Sequence, residues 1–221
     1  MGKKIFIANW KSNKTTEESV SWLEVFNKNL SKISFENKTI VICPSFMSLQ
    51  ATSLYIKVNN LPISLGAQNI SQFGEGAYTG EVNFRQIREF CQYVIIGHSE
   101  RRKYNHETDS EIFEKTKIAK KEGLKTIVCI QAEETSISQE SDFVAYEPVF
   151  AIGTGNPDTP GNVEKVFNKI INKRGNTNLV YGGSVNTQNV TNYLKISNLS
   201  GFLIATASLD PNNFTDILSK C

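Results

Sequence analysis

The sequence has few of the residues that form metal centres or disulfide frameworks. It contains 2 histidines and 4 cysteines among 221 residues, with no Cys-x-x-Cys spacing. Cys43, Cys91 and Cys129 lie in apolar runs, where a free thiol behaves as a small hydrophobic group. Neither His98 nor His106 has a second histidine or a cysteine at a metal-ligand spacing in the sequence. We therefore expect reduced cysteines and no metal site.

An excess of one charge and long apolar runs are also missing. Lys and Arg number 24 against 22 Asp and Glu, a net charge of +2 that gives no reason to expect a nucleic-acid partner. No apolar run approaches the roughly 18 residues that span a membrane. A predicted buried strand begins at Ile5, which leaves no room for a signal peptide. We expect a cytoplasmic protein that binds neither nucleic acid nor membrane.

Eight short apolar runs recur along the chain, and each is typical of a strand buried on both faces of a parallel sheet. They are residues 5–10, 39–44, 63–68, 93–98, 126–131, 143–148, 179–184 and 201–206. Helical patterns lie between most of them, with capping boxes predicted at Thr15 and Thr108 and an N-cap at Thr159 before Pro160. The G-x-G-x-x-G fingerprint of dinucleotide-binding sheets is missing. This absence favours a barrel over an open sheet. The sequence predicts one α/β domain over residues 1–221, folded as a (β/α)8 TIM barrel.

One connection in this barrel is unusually short. The fifth and sixth predicted strands begin 17 residues apart, whereas the other neighbouring strands begin 22 to 36 residues apart. Only residues 132–142 remain to cross from one strand to the next, and such a crossover normally takes a dozen or more residues with a helix. We predict that the helix between strands five and six is shortened or missing.

Three polar side chains follow the carboxyl ends of predicted strands, where barrels of this kind place their chemistry. Lys11, His98 and Glu147 follow the first, fourth and sixth strands. Each alone could be a surface charge, a structural histidine or a turn residue. Their position at the same end of one barrel favours a common site instead, because random placement would scatter them over both ends. A cation, an imidazole and a carboxylate together can move protons beside a carbonyl group.

Glycine-rich segments follow two strands at the same end of the barrel. Residues 153–155 read Gly-Thr-Gly, and residues 181–184 read Tyr-Gly-Gly-Ser. Such segments can be tight turns, and they can also bring backbone N–H groups close to an anion. Their place opposite the candidate proton-transfer groups favours a phosphate site.

Seven motifs in order resemble the triosephosphate isomerase family over essentially the whole chain. They are ANWK (8–11), GAQN (66–69), AYTGE (77–81), IGHSERR (96–102), AYEPVFAIGTG (145–155), YGGSV (181–185) and GFLIATASL (201–209). The resemblance implies interconversion of dihydroxyacetone phosphate and glyceraldehyde 3-phosphate through an enediolate, in glycolysis and gluconeogenesis. It implies small phosphorylated trioses as substrates and no cofactor.

The resemblance also implies a role for each matching residue. Glu147 is the expected base that moves a proton between the two carbons, and His98 is the expected neutral imidazole that polarises the carbonyl. Lys11 is expected to stabilise the enediolate and the phosphate, Asn9 to bind the reacting oxygens, and Glu100 to hold Lys11 from outside the substrate shell.

Binding of the phosphate and of a second subunit follows from the same resemblance. Backbone N–H groups of Gly153, Ser184, Ala205 and Thr206 are expected to bind phosphate under a lid formed by residues 148–158. The loop that begins at Gln68 and ends at Glu81 is expected to insert into a twin subunit through Thr79, which predicts a homodimer.

The chain departs from the family's pattern at three places. Ala205 and Thr206 stand where the family has two glycines, Phe150 stands where it has tryptophan, and Pro157 stiffens the second hinge of the lid. Two other functions stay open: another phosphosugar isomerase, which would carry paired aspartates after strands one and five, and an inactive barrel that serves as a binding protein.

Overall fold

A computed structural model describes residues 3–151 and 155–221 of the chain. Eight parallel strands form a closed barrel in which each strand pairs with the next in sequence and the last pairs with the first. The strands are β1 (Lys4–Asn9), β2 (Lys38–Cys43), β3 (Ser64–Ala67), β4 (Tyr93–Ile96), β5 (Lys125–Ile130), β6 (Phe143–Tyr146), β7 (Asn178–Tyr181) and β8 (Leu199–Ile204). The predicted barrel is confirmed.

Eight α-helices surround these strands in the described part of the chain. They are α1 (Thr16–Lys28), α2 (Leu49–Val58), α3 (Phe84–Arg88), α4 (Ser99–Tyr104), α5 (Asp109–Lys121), α6 (Pro160–Arg174), α7 (Val190–Tyr193) and α8 (Pro211–Ser219). The capping boxes predicted at Thr15 and Thr108 are both present, and Thr159 caps α6 ahead of Pro160. Of these described helices, none is long and apolar enough to cross a membrane.

The connection between β5 and β6 contains no helix, since residues 131–142, all of them described, form only turns and bends. Polar contacts hold it in place. Arg174 at the end of α6 donates to the carbonyl oxygens of Ser138 (2.5 Å) and Gln139 (3.2 Å). At the far end of the connection, Asp142 accepts hydrogen bonds from the backbone N–H and the hydroxyl of Thr126. The prediction that this helix is shortened or missing is confirmed, and the structure shows that it is missing.

Two apolar clusters account for the alternation of side chains along the strands. One consists of strand residues alone, such as Ile5 and Ile7 of β1 and Ile127 of β5, and it fills the barrel interior. The other joins the outward strand positions to helix residues such as Trp22 and Phe167. Because both faces of the strands are buried, the strands appear in the sequence as unbroken apolar runs.

Candidate active site

A cavity of about 440 Å³ opens at the carboxyl ends of the strands. Its walls come from segments that follow β1, β4, β6, β7 and β8, so residues far apart in sequence meet there. Those of them that the sequence predicted are Asn9, Lys11, His98, Glu147, Ser184, Ala205 and Thr206.

Glu147 lies directly after β6 at the base of this cavity and is 2 % exposed. Its backbone N–H donates to the carbonyl oxygen of Ile130 (2.8 Å), which extends the pairing of β5 with β6 by one residue. Gly182 makes room for the side chain, because a Cβ at position 182 would lie 2.9 Å from Cγ of Glu147. Strand pairing thus fixes the backbone of Glu147, and the absence of a side chain at Gly182 leaves room for its carboxylate.

His98 lies two residues beyond β4, after Gly97 turns the chain with a φ of +68°. It caps α4, since its Nδ1 accepts a hydrogen bond from the backbone N–H of Glu100 at 3.2 Å. Its Nε2 lies 3.0 Å from Oε1 of Glu147. The backbone N–H of Ser99 donates to the other oxygen of Glu147 at 3.3 Å. The beginning of α4 therefore orients both the imidazole and the carboxylate.

Burial and mutual attraction act in opposite directions on these two groups. Burial raises the pKa of Glu147, but the adjacent His98 and the Ser99 N–H lower it, and the net pKa lies below its usual value. Burial lowers the pKa of His98, but the Glu147 carboxylate raises it, and the net pKa lies above its usual value. The attraction between His98 and Glu147 thus outweighs the effect of burial on the pKa of each group.

Lys11 is held in a left-handed backbone conformation with a φ of +53°. Its backbone N–H donates to the side-chain oxygen of Asn9 (3.1 Å), and the side chain of Gln68 donates to its carbonyl oxygen (2.9 Å). Its Nζ lies 2.6 Å from Oε1 of Glu100. A carboxylate outside the cavity thereby fixes the ammonium group at the cavity wall.

The opposite wall consists of the ends of β7 and β8. Ser184 has a φ of +49°, and its hydroxyl donates to the carbonyl oxygen of Ala151 at 2.5 Å. Ala205 precedes a 3₁₀ turn (Thr206–Ser208). The predicted anion-binding residue Gly153 and its neighbours 152 and 154 lie outside the described residues.

Loop 68–81 lies outside the cavity, and Thr79 on it is exposed. Phe73 and Tyr78 stack on each other within this loop, with ring centroids 4.3 Å apart. Of the predicted site residues that the structure describes, two do not line the cavity: Thr79 and Glu100.

A family model described as triosephosphate isomerase matches residues 4–221. The chain belongs to the triosephosphate isomerase family. Its similar curated relatives include triosephosphate isomerases of Dictyoglomus thermophilum, 39 % identical over 100 % of both chains, and of Aquifex aeolicus, 35 % identical over 98 % of both. The relative from Mesomycoplasma hyopneumoniae strain 232 is 37 % identical over 98 % of both chains.

Sequence reasoning missed several residues of this triosephosphate isomerase site. Asn186 and Asn213 line the cavity near the ends of β7 and β8. The buried thiol of Cys129 contacts Glu147, and burial followed by this carboxylate raises the pKa of Cys129 well above its usual value. An alternation signal could have revealed Cys129, because it lies two residues after inward-facing Ile127.

Proposed function

We propose that this chain interconverts dihydroxyacetone phosphate and D-glyceraldehyde 3-phosphate, as the name of its family indicates. The observation that carries the proposal is the 3.0 Å approach of Glu147 to His98 in the cavity that Lys11 also lines. The roles below are those known for the family, assigned to the residues that match its motifs.

Glu147 acts as the base that takes a proton from one carbon and returns it to the next. Its buried position supports this role, since excluding water around the carboxylate prevents side reactions of the intermediate. The lowered pKa, caused by His98 against the effect of burial, keeps the group ionised at neutral pH.

His98 acts as a neutral imidazole that donates from Nε2 to the substrate's oxygens. The backbone N–H of Glu100 supports this state, because its bond to Nδ1 requires a lone pair there. Glu147 raises the pKa of His98, but a second proton could bind only at Nδ1 and would break that bond. The N-terminal end of α4 also disfavours a positive charge.

Lys11 and Asn9 stabilise the negative charge that develops on the enediolate oxygens. Both line the cavity, and the ion pair with Glu100 positions the ammonium group before substrate arrives. Pre-positioned charge contributes most where water is excluded.

The amides of Ser184, Ala205 and Thr206, with that of Gly153, bind the substrate phosphate, and residues 148–158 close over it. Sealing the site matters because an enediolate phosphate exposed to water loses its phosphate group. We further propose that the chain is one domain and needs no cofactor. It acts in the cytoplasm, in glycolysis and gluconeogenesis.

The chain acts as a homodimer that pairs through loop 68–81, with Thr79 reaching toward the partner's site. Exposed apolar side chains near the mouth support this pairing, among them Met47, which is 86 % exposed, and the stacked Phe73 and Tyr78. Sedimentation velocity is expected to give the mass of a dimer, and a stable, fully active monomer would contradict the proposal.

Glu147→Gln tests the proposed base. The amide can still accept a hydrogen bond from His98 but cannot take a proton, so turnover is expected to fall by about 10²–10⁴-fold. Turnover is measured by coupling the product to a dehydrogenase, and circular dichroism checks the fold. Glu24→Gln, an exposed change on α1, serves as the control. An active Glu147→Gln enzyme would refute the assignment.

A further inference from the structure

Asp158, the last residue of the segment proposed to close over the phosphate, has a buried carboxylate to which the proposed function gives no role. It is 6 % exposed and lies between segment 148–157 and the beginning of α6, where Thr159 forms the N-cap. A buried carboxylate is costly unless its oxygens accept hydrogen bonds, so its contacts show what it holds in place.

The carboxylate joins the two ends of the segment that begins at Glu147. Tyr146, the last residue of β6, donates its hydroxyl to Oδ2 of Asp158 at 3.3 Å. On the α6 side, the side chain of Asn162 donates to Oδ2 at 2.6 Å and the backbone N–H of Thr159 donates to Oδ1 at 2.8 Å. The residue before Glu147 and the residue eleven positions after it are thereby tied together.

The backbone of Asp158 is held by a pair of stacked tyrosines. Its N–H donates to the hydroxyl of Tyr181 at 2.8 Å, and its carbonyl oxygen accepts from the hydroxyl of Tyr193. The two rings stack with centroids 4.6 Å apart. Tyr181 ends β7 immediately before Gly182, the residue that makes room for Glu147. Asp158 thus connects β6 and β7 at the cavity.

The phenol that reaches the carboxylate is a permanent hydrogen-bond donor at neutral pH. Burial, and after it the charge of Asp158, raise the pKa of Tyr146 far above its ordinary value. The Tyr146 phenol therefore keeps the proton that it donates across the pH range of the assay.

We propose that Asp158 is a positioning residue for the base Glu147. By bonding Tyr146, it fixes the end of β6 from which Glu147 projects and holds the returning end of segment 148–157 against the same point. This inference rests on the proposed isomerase function. Because rate depends steeply on the placement of the reacting groups, loss of this tie is expected to lower kcat more than it weakens substrate binding.

Two substitutions remove the tie from opposite sides. Tyr146→Phe deletes only the hydroxyl, and Asp158→Ala deletes the carboxylate. Each is expected to lower kcat by about tenfold with KM changed less than about twofold. Since both remove the same bond, the double variant is expected to have nearly the kcat of Asp158→Ala alone.

Asp142→Asn is the matched control, because Asp142 is also a hydrogen-bonded carboxylate but precedes β6 at the opposite end of the barrel. It is expected to lower the thermal midpoint and leave kcat within twofold. If Asp158→Ala does not fold, the kcat of Tyr146→Phe alone decides the test.

The outcomes separate this inference from the proposed function. An unmodified enzyme that does not isomerise triose phosphates refutes the function itself. An active enzyme whose Tyr146→Phe variant keeps its kcat overturns the positioning role alone. The positioning role is also overturned if the double variant loses kcat by the product of the two single losses. It is overturned as well if kcat falls only in proportion to the loss of thermal stability.

Discussion

The two connections that flank β6 solve the same geometric problem in different ways. The one before it, residues 131–142, has no helix and is held by hydrogen bonds to Arg174 of α6 and Thr126 of β5. The one after it contains Glu147 and the 15-residue helix α6. Both return the chain to a neighbouring parallel strand of the same closed barrel.

The difference shows which part of a barrel unit can be removed. The shortened connection contributes no side chain to the cavity, and its loss of a helix leaves the pairing of β5 with β6 intact over four residue pairs. Polar contacts from α6 to backbone carbonyls, together with Ile137 packed against the outer apolar cluster, take the place of helix packing. We expect changes after β6 to affect rate, and changes before it to affect stability.

Gly182→Ala is expected to have the larger effect. Gly182 itself follows β7, but the substitution tests the side after β6 because it acts on Glu147. The new Cβ would lie 2.9 Å from Cγ of Glu147, so the carboxylate has to move away from its present position. A displacement of about 1 Å can cost up to about 100-fold in rate, and we expect kcat to fall by about 10–100-fold.

The control for Gly182→Ala is Gly161→Ala in the first turn of α6, where the added methyl group meets open space. Steady-state kinetics of both variants, with thermal midpoints, make the comparison. If Gly182→Ala kept full activity, the close fit between β7 and Glu147 would have no part in catalysis.

Much of this architecture could be predicted from local sequence signals. The capping boxes at Thr15 and Thr108 depend on residues three apart, and the missing helix follows from a count of residues. All eight strands end one to three residues before the predicted runs do, and the largest difference is at β7, which ends at Tyr181. In β4 and β6 the chain leaves the strand at Gly97 and Glu147, which the predicted runs included.

The role of Asp158 could not be read from the sequence in the same way. It stands in the polar run Asn-Pro-Asp-Thr, which is typical of an exposed turn. Its burial depends on Tyr146, Tyr181 and Tyr193, which come from three other elements. Contacts between distant elements leave no periodic signal, and only the folded barrel brings them together.

Arg174→Ala is expected to have the smaller effect and tests the side before β6. The substitution removes the donors to the carbonyl oxygens of Ser138 and Gln139. These hydrogen bonds help to hold the connection in place of a packed helix. Charged hydrogen bonds of this kind contribute about 1.5–3 kcal/mol, which lowers the thermal midpoint by roughly 3–12 °C in a protein of this size. Because no residue of 131–142 lines the cavity, kcat is expected to stay within twofold.

Lys165→Ala, an exposed change on the same helix, is the control for lost side-chain volume and charge on α6. Thermal unfolding and the coupled assay are measured on both variants. A large fall in kcat for Arg174→Ala at a temperature where it stays folded would break the division between the two connections. Loss of stability alone would show that hydrogen bonds to loop carbonyls contribute to holding a connection that has no helix and no catalytic group.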